Sequence, residues 1–325
     1  MKMLFKMMIL GVAVALSAGC GGGGGGGNPP AAVVPDATIS PQNAVEIAGE
    51  VVGGVQATGD FGIFGGAGLI GGNAGDSGLS KSSTSVLAAQ KTMQVFMAAP
   101  FGPEVSQCLV SGSVSVSGNL ASQDALTAGD RIVARFTNCD DGEGEVVNGT
   151  LTLVVDTFSG DLLGGFVTLG LTVTFQNFSV NEGGTLETVS GDLSLLMDTQ
   201  AYPVSTFSIS SGSLTVSDGV DTVVLSNFST TVTSDESSQP PAFTYTSSGR
   251  ISVPTYGSVS YQVRQPFTGF GEGDPDSGVL YIEGNMGGSI TVTVLSNVQV
   301  QLDMDYDGDG VTDETIIVTW VELEG

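Results

Sequence analysis

The residues best placed to do chemistry lie near the C-terminus, in the run Asp303-Met304-Asp305-Tyr306-Asp307-Gly308-Asp309-Gly310-Val311-Thr312-Asp313-Glu314. Alternate aspartates in a turn relieved by glycines converge hard oxygens on one point, which is what Ca²⁺ requires. The candidate ligands are Asp303, Asp305, Asp307, Asp309, Asp313 and Glu314. Gathering so many carboxylates costs repulsion that a cation would offset, so the expected ion is structural. The alternative is an acidic hairpin turn that holds no specific ion. Other chemistries are removed by a missing residue type, because the chain contains no histidine. That excludes imidazole acid–base catalysis, the Ser/His/Asp and Cys/His arrangements, and the usual catalytic zinc sites.

Two registers fit the acidic run. From Asp303 the residues resemble the DxDxDG loop of an EF-hand with Glu314 at the twelfth position; from Asp305 they resemble the shorter DxDGDGxxD loops of thrombospondin type 3 and dockerin repeats. Val298, Val300 and Leu302 before the loop, and Ile316, Val318 and Trp320 after it, alternate with period two. Strands therefore replace the helices that would flank a true EF-hand. Two other matches are decoys. Gly66-Ala67-Gly68-Leu69-Ile70-Gly71 has the GxGxxG form without a preceding strand or a βαβ unit. Gly75-Asp76-Ser77-Gly78 resembles a protease nucleophile motif with no base to serve it.

At the other end, Lys2 and Lys6 precede an apolar run from Met7 to Leu16 and then small residues, the order of a secretory signal. Leu16-Ser17-Ala18-Gly19-Cys20 resembles the lipobox of bacterial lipoproteins. This implies cleavage after residue 19, diacylglycerol modification of Cys20, and a membrane anchor through the lipid. Gly21, where an aspartate would signal retention, implies sorting to the outer membrane, facing the periplasm or the surface. Residues 20–38, with glycines 21–27 and then Asn28-Pro29-Pro30, read as a flexible tether.

The chain carries 34 acidic and 8 basic residues, so nucleic acid is not an expected partner. Forty-nine glycines, with abundant Ser and Thr, fit a secreted β protein better than a helical enzyme. The remaining cysteines, Cys108 and Cys139, are most simply one disulfide in an oxidising compartment.

Residues 39–103 read as a helical and glycine-rich region. Ser40-Pro41 offers an N-cap and a first-turn proline for a short helix that Gly53-Gly54 ends, followed by a glycine-rich loop. Val86, Ala89, Met93 and Phe96 or Met97 recur at helical spacing in a second helix from Ser83 or Thr84 to about Ala98. From 104 to 325 the period is two, which predicts a mainly β domain: an antiparallel meander forming a strongly curved sheet, open barrel or sandwich. The apolar residues change parity after Gln176-Asn177 and after Ser226-Asn227, as at a β-bulge, and Leu295-Ser296-Asn297-Val298 is a weaker third case. Asp140, Asp141, Glu143, Glu145, Glu272, Asp274 and Asp276 read as solvated acidic turns.

Taken together, the lipobox with its glycine run, the cysteine pair and the closing acidic loop resemble uncharacterised Gram-negative envelope lipoproteins. The reading that follows is a non-enzymatic interaction or envelope-structural domain, its partner an envelope protein or a lipid. A carrier of a hydrophobic ligand in a curved-sheet cavity is the alternative. A carboxylate-only hydrolase is a third reading, for which no acid pair stands out.

Overall fold

The computed structural model describes residues 34–69, 104–121, 126–140, 142, 145–161, 166–220, 222–271 and 273–324. The second helix expected over 83–98, the Gly75–Gly78 motif, Cys20, and the acids Asp141, Glu143 and Glu272 lie outside these residues.

Fourteen strands form one antiparallel sheet in which every strand pairs with its neighbours in sequence. They are β1 Glu104–Gln107, β2 Ser111–Asn119, β3 Arg131–Asp140, β4 Glu145–Asp161, β5 Phe166–Glu182, β6 Thr185–Asp198 and β7 Val204–Ser217, followed by β8 Thr222–Asp235, β9 Ala242–Val253, β10 Gly257–Phe270, β11 Ser277–Glu283, β12 Ser289–Val294, β13 Gln299–Asp305 and β14 Glu314–Thr319. The meander is open, because β1 and β14 remain its two ends. Period-two patterning places alternate residues on one apolar face, as in β6, where Leu193, Leu195 and Met197 are buried and Asp192, Ser194 and Leu196 are exposed.

Helix α1, Ala44–Leu69, lies against β7, β8, β9 and β12. It runs through Gly53-Gly54, where the sequence suggested an end, and takes in the expected glycine-rich loop as far as Leu69. Burial explains the difference. Ala44, Ile47, Ala48, Val51, Val52 and Val55 form one apolar stripe with every member buried, and that outweighs the roughly 1 kcal/mol helix cost of each glycine. Ser40 opens the preceding turn: its carbonyl accepts the N–H of Ala44, and its own N–H donates to the Asn43 side chain. The packed chain also begins earlier than Ser40. Ala37 N–H donates to Ser258 O, Ser258 N–H donates to Pro35 O, and Asp36 is ion-paired with Arg250, so residues 35–39 lie on the sheet and not in the tether. Among the described residues no helix is long and apolar enough to cross a membrane.

A terminal helix, α2 Trp320–Glu324, follows β14 directly. Thr319 and Glu322 bond reciprocally, with Glu322 N–H donating to the Thr319 hydroxyl and Thr319 N–H donating to the Glu322 carboxylate. This capping box holds the Glu322 carboxyl below its usual range and turns Trp320 into the core, where it is 1 % exposed. Gly49 of α1 is where α2 crosses, since a Cβ there would meet the Leu323 carbonyl oxygen.

Two apolar clusters result. One joins α1 and α2 to strands β8–β14. The other is contributed by β3–β8, and the partly buried Leu225 packs against both. Asn138, Asn177 and Asn227 adopt positive φ values of 46°, 48° and 49°. Each marks a register shift, so Phe178 and Phe228 turn inward directly after the asparagine and are fully buried. Gly149 is required opposite one of these bulges: its φ is 105°, and a Cβ would fall 2.3 Å from Asn177 O. The third candidate is different. Leu295–Val298 is the β12–β13 hairpin turn, closed by Gln299 N–H to Ser296 O.

The Cys108–Cys139 disulfide joins the β1–β2 turn to β3 beside the Asn138 bulge, with Cα atoms 5.4 Å apart. Glu145 departs from the solvated-turn expectation, because it opens β4 and is 2 % exposed. Asp274 is half-buried, and that burial pushes its carboxyl up.

Candidate cation site at the terminal hairpin

Strand β13 continues through Asp305, and β14 begins at Glu314, so residues 306–313 form the hairpin loop. Its position is fixed from the side by the 3₁₀ turn Asn285–Gly287. Gly308, at φ 75°, lies so close to this turn that a Cβ would fall 2.4 Å from Met286 O.

The structure brings Asp305, Asp307 and Asp313 together, with one carboxylate oxygen from each within 4.8 Å of the others. Asp305 is the buried member, and its orientation is set by two backbone donors: Gly308 N–H to Oδ1 at 2.7 Å and Gly310 N–H to Oδ2 at 2.8 Å. Asp313 is held by Tyr306 N–H at 2.7 Å, while its own N–H donates to Met304 O. Asp307 accepts Asp309 N–H at 3.2 Å and is exposed. These donors orient the carboxylates.

The other three candidates go elsewhere. Asp303 lies on β13 opposite Thr315, accepting its hydroxyl at 2.7 Å together with the Gln301 amide. Asp309 accepts Val311 N–H at 2.8 Å in a local turn. Glu314 accepts the Tyr306 hydroxyl at 2.7 Å. The triad keeps three of the four acids of the shorter register, from Asp305, without Asp309, while Asp303 of the longer register is occupied by Thr315 and Gln301. Burial, the Glu314 hydrogen bond and the nearby acid charges push the Tyr306 hydroxyl up to about 12.

The three converging carboxylates can hold a metal ion. An all-oxygen set suits a hard cation and no soft one. Asp305, Asp307 and Asp313 would be its protein ligands, leaving further coordination positions for water or backbone oxygens.

The hairpin borders a cleft of about 440 Å³ on the outer face, which sequence reasoning did not find. Glu283, Ser289 and Asp305 stand directly opposite one another on β11, β12 and β13, and Tyr281, Thr291 and Asp303 form the next row. The Arg264 guanidinium lies 3.4 Å over the Tyr281 ring. The only signal was the alternation of polar residues in four strands, which any solvated face also shows.

No protein-family model, curated protein or solved structure matches the chain.

Proposed function

We propose that the chain is a bacterial envelope lipoprotein, anchored in the outer membrane through a lipid on Cys20, whose β domain is a non-enzymatic interaction or envelope-structural module. Its terminal hairpin holds one structural Ca²⁺ through Asp305, Asp307 and Asp313. The convergence of these three carboxylates at one hairpin loop is the observation that carries the calcium reading. The anchor rests on Leu16–Cys20 and the glycine run behind it. The cleft beside the hairpin is lined mainly by polar side chains of the outer face, which supports a binding surface, and the lack of histidine leaves no imidazole for acid–base catalysis.

Native mass spectrometry of the envelope-extracted chain, sprayed before and after chelation, tests this reading. A diacylglyceryl-sized mass that disappears in Cys20→Ser, and one calcium that leaves with chelator, are the expected results. An unmodified N-terminus overturns the anchor. A chain that carries no calcium overturns the ion. A non-covalent lipid in the body of the domain would favour the carrier instead.

A further inference from the structure

The outer-face cleft beside the hairpin contains a polar group that the fold leaves unused. Ser289 is only 9 % exposed and lines the cleft, yet its hydroxyl meets no hydrogen-bond partner among the described residues. That hydroxyl opens onto the cleft and can exchange hydrogen bonds with a ligand there. Around it donors and acceptors alternate. Arg264 donates only, Glu283, Asp303 and Asp305 accept only, and Thr291 and Thr312 do both. The Arg264–Tyr281 stack forms one wall, and the backbone of Gly287, Gly308 and Gly310 lines the cleft at the hairpin.

This pattern selects against an anion, which three carboxylates and a strongly acidic chain repel. It selects against an apolar ligand, since no member of either buried cluster lines the cleft. A ligand whose every group both donates and accepts matches it best. We infer that the cleft lined by Arg264, Tyr281, Glu283, Ser289 and Asp303 binds a neutral saccharide, whose hydroxyls complete the Ser289 hydrogen bond and bridge Arg264 to the carboxylates. The inference rests on the interaction-module reading and names its ligand class. It does not require the cation.

Saturation-transfer NMR on the full chain, with D-mannose, D-galactose and N-acetylglucosamine as probes, tests it. Transfer to at least one sugar is expected, weakened by about tenfold in affinity when Arg264 is replaced by alanine and the charged hydrogen bond is lost. Ser289→Leu, which fills the cleft, should abolish it. Arg264 is exposed on the rim, so that variant keeps the fold even if Ser289→Leu does not. No transfer to any of the three sugars overturns the saccharide assignment alone. Undiminished transfer in the Arg264→Ala chain also overturns it, by placing the sugar elsewhere. A sugar chemically altered during the experiment would instead overturn the non-enzymatic reading beneath it.

Discussion

The two halves of the sheet solve the same packing problem differently. Strands β3–β8 are long, with β4 and β5 reaching 17 residues or about 55 Å, and their cluster is built from strand residues and shaped by bulges at Asn138, Asn177 and Asn227. Strands β11–β14 have six or seven residues, and their apolar face is covered by α1 and α2. In the first half, special residues serve geometry: asparagines at positive φ, small residues beside them, and a disulfide at the edge. In the second half the helices supply the cover, which leaves the outer face and its hairpin free to carry carboxylates, an arginine and hydroxyls.

Substitutions should separate the halves. Trp320→Ala removes the largest fully buried side chain of the helix-covered half and should cost about 3–5 kcal/mol, read by thermal unfolding. Amide exchange should accelerate first in β12–β14 and α2. Replacing Cys108 and Cys139 together by serine should cost about 3–4 kcal/mol and loosen β1–β3 first, leaving the terminal hairpin protected. Equal loss of protection in both halves, in either variant, would show that they unfold as one unit.

Asn177→Val places a β-branched residue at positive φ and should cost about 1–3 kcal/mol, while Asn177→Gly should cost less than about 0.5 kcal/mol. Equal costs in denaturant titrations would remove the backbone explanation of the bulge. A smaller effect concerns Asp130. Burial pushes its carboxyl up, but the N–H groups of Ala121 and Thr127 and the Thr127 hydroxyl outweigh it, so the folded value lies below the ordinary one. Its contribution is therefore present above about pH 4 and lost as pH falls through the lower folded value. Melting of wild type and Asp130→Asn should converge toward pH 2, and parallel curves from pH 6 to 2 would contradict this.

The meander and two bulges were legible because period-two patterning and its parity changes are local signals, and the disulfide because only two cysteines remain after Cys20. The Asn138 bulge carried the same signal, since Phe136 and Cys139 differ in parity across Thr137-Asn138. Thr319-Trp320-Val321-Glu322 likewise spelled the cap of α2. The length of α1 was hidden because its glycines answer to tertiary neighbours: Gly49 to Leu323, and Gly54 to Ile251. The docking of residues 35–39 depends on Ser258 and Arg250, more than 200 residues away, and no local pattern announces it. Within the acidic run, composition offered six ligands. Asp303 and Asp305 are both on the ladder of β13, and only tertiary partners separate them: Asp303 turns to Thr315 and Gln301, Asp305 to the loop N–H groups of Gly308 and Gly310.

That separation gives the most direct test of the account. Calorimetric titration of Ca²⁺ into the wild-type chain and the single variants Asp305→Asn, Asp313→Asn, Asp303→Asn and Glu314→Gln would decide it. One ion per chain, lost in the first two variants and retained within about threefold in the last two, is the predicted result, because Asp303 and Glu314 bond to protein groups outside the triad. Absence of binding in the wild type would contradict the site, and equal loss in Asp303→Asn and Glu314→Gln would replace the triad with the twelve-residue register.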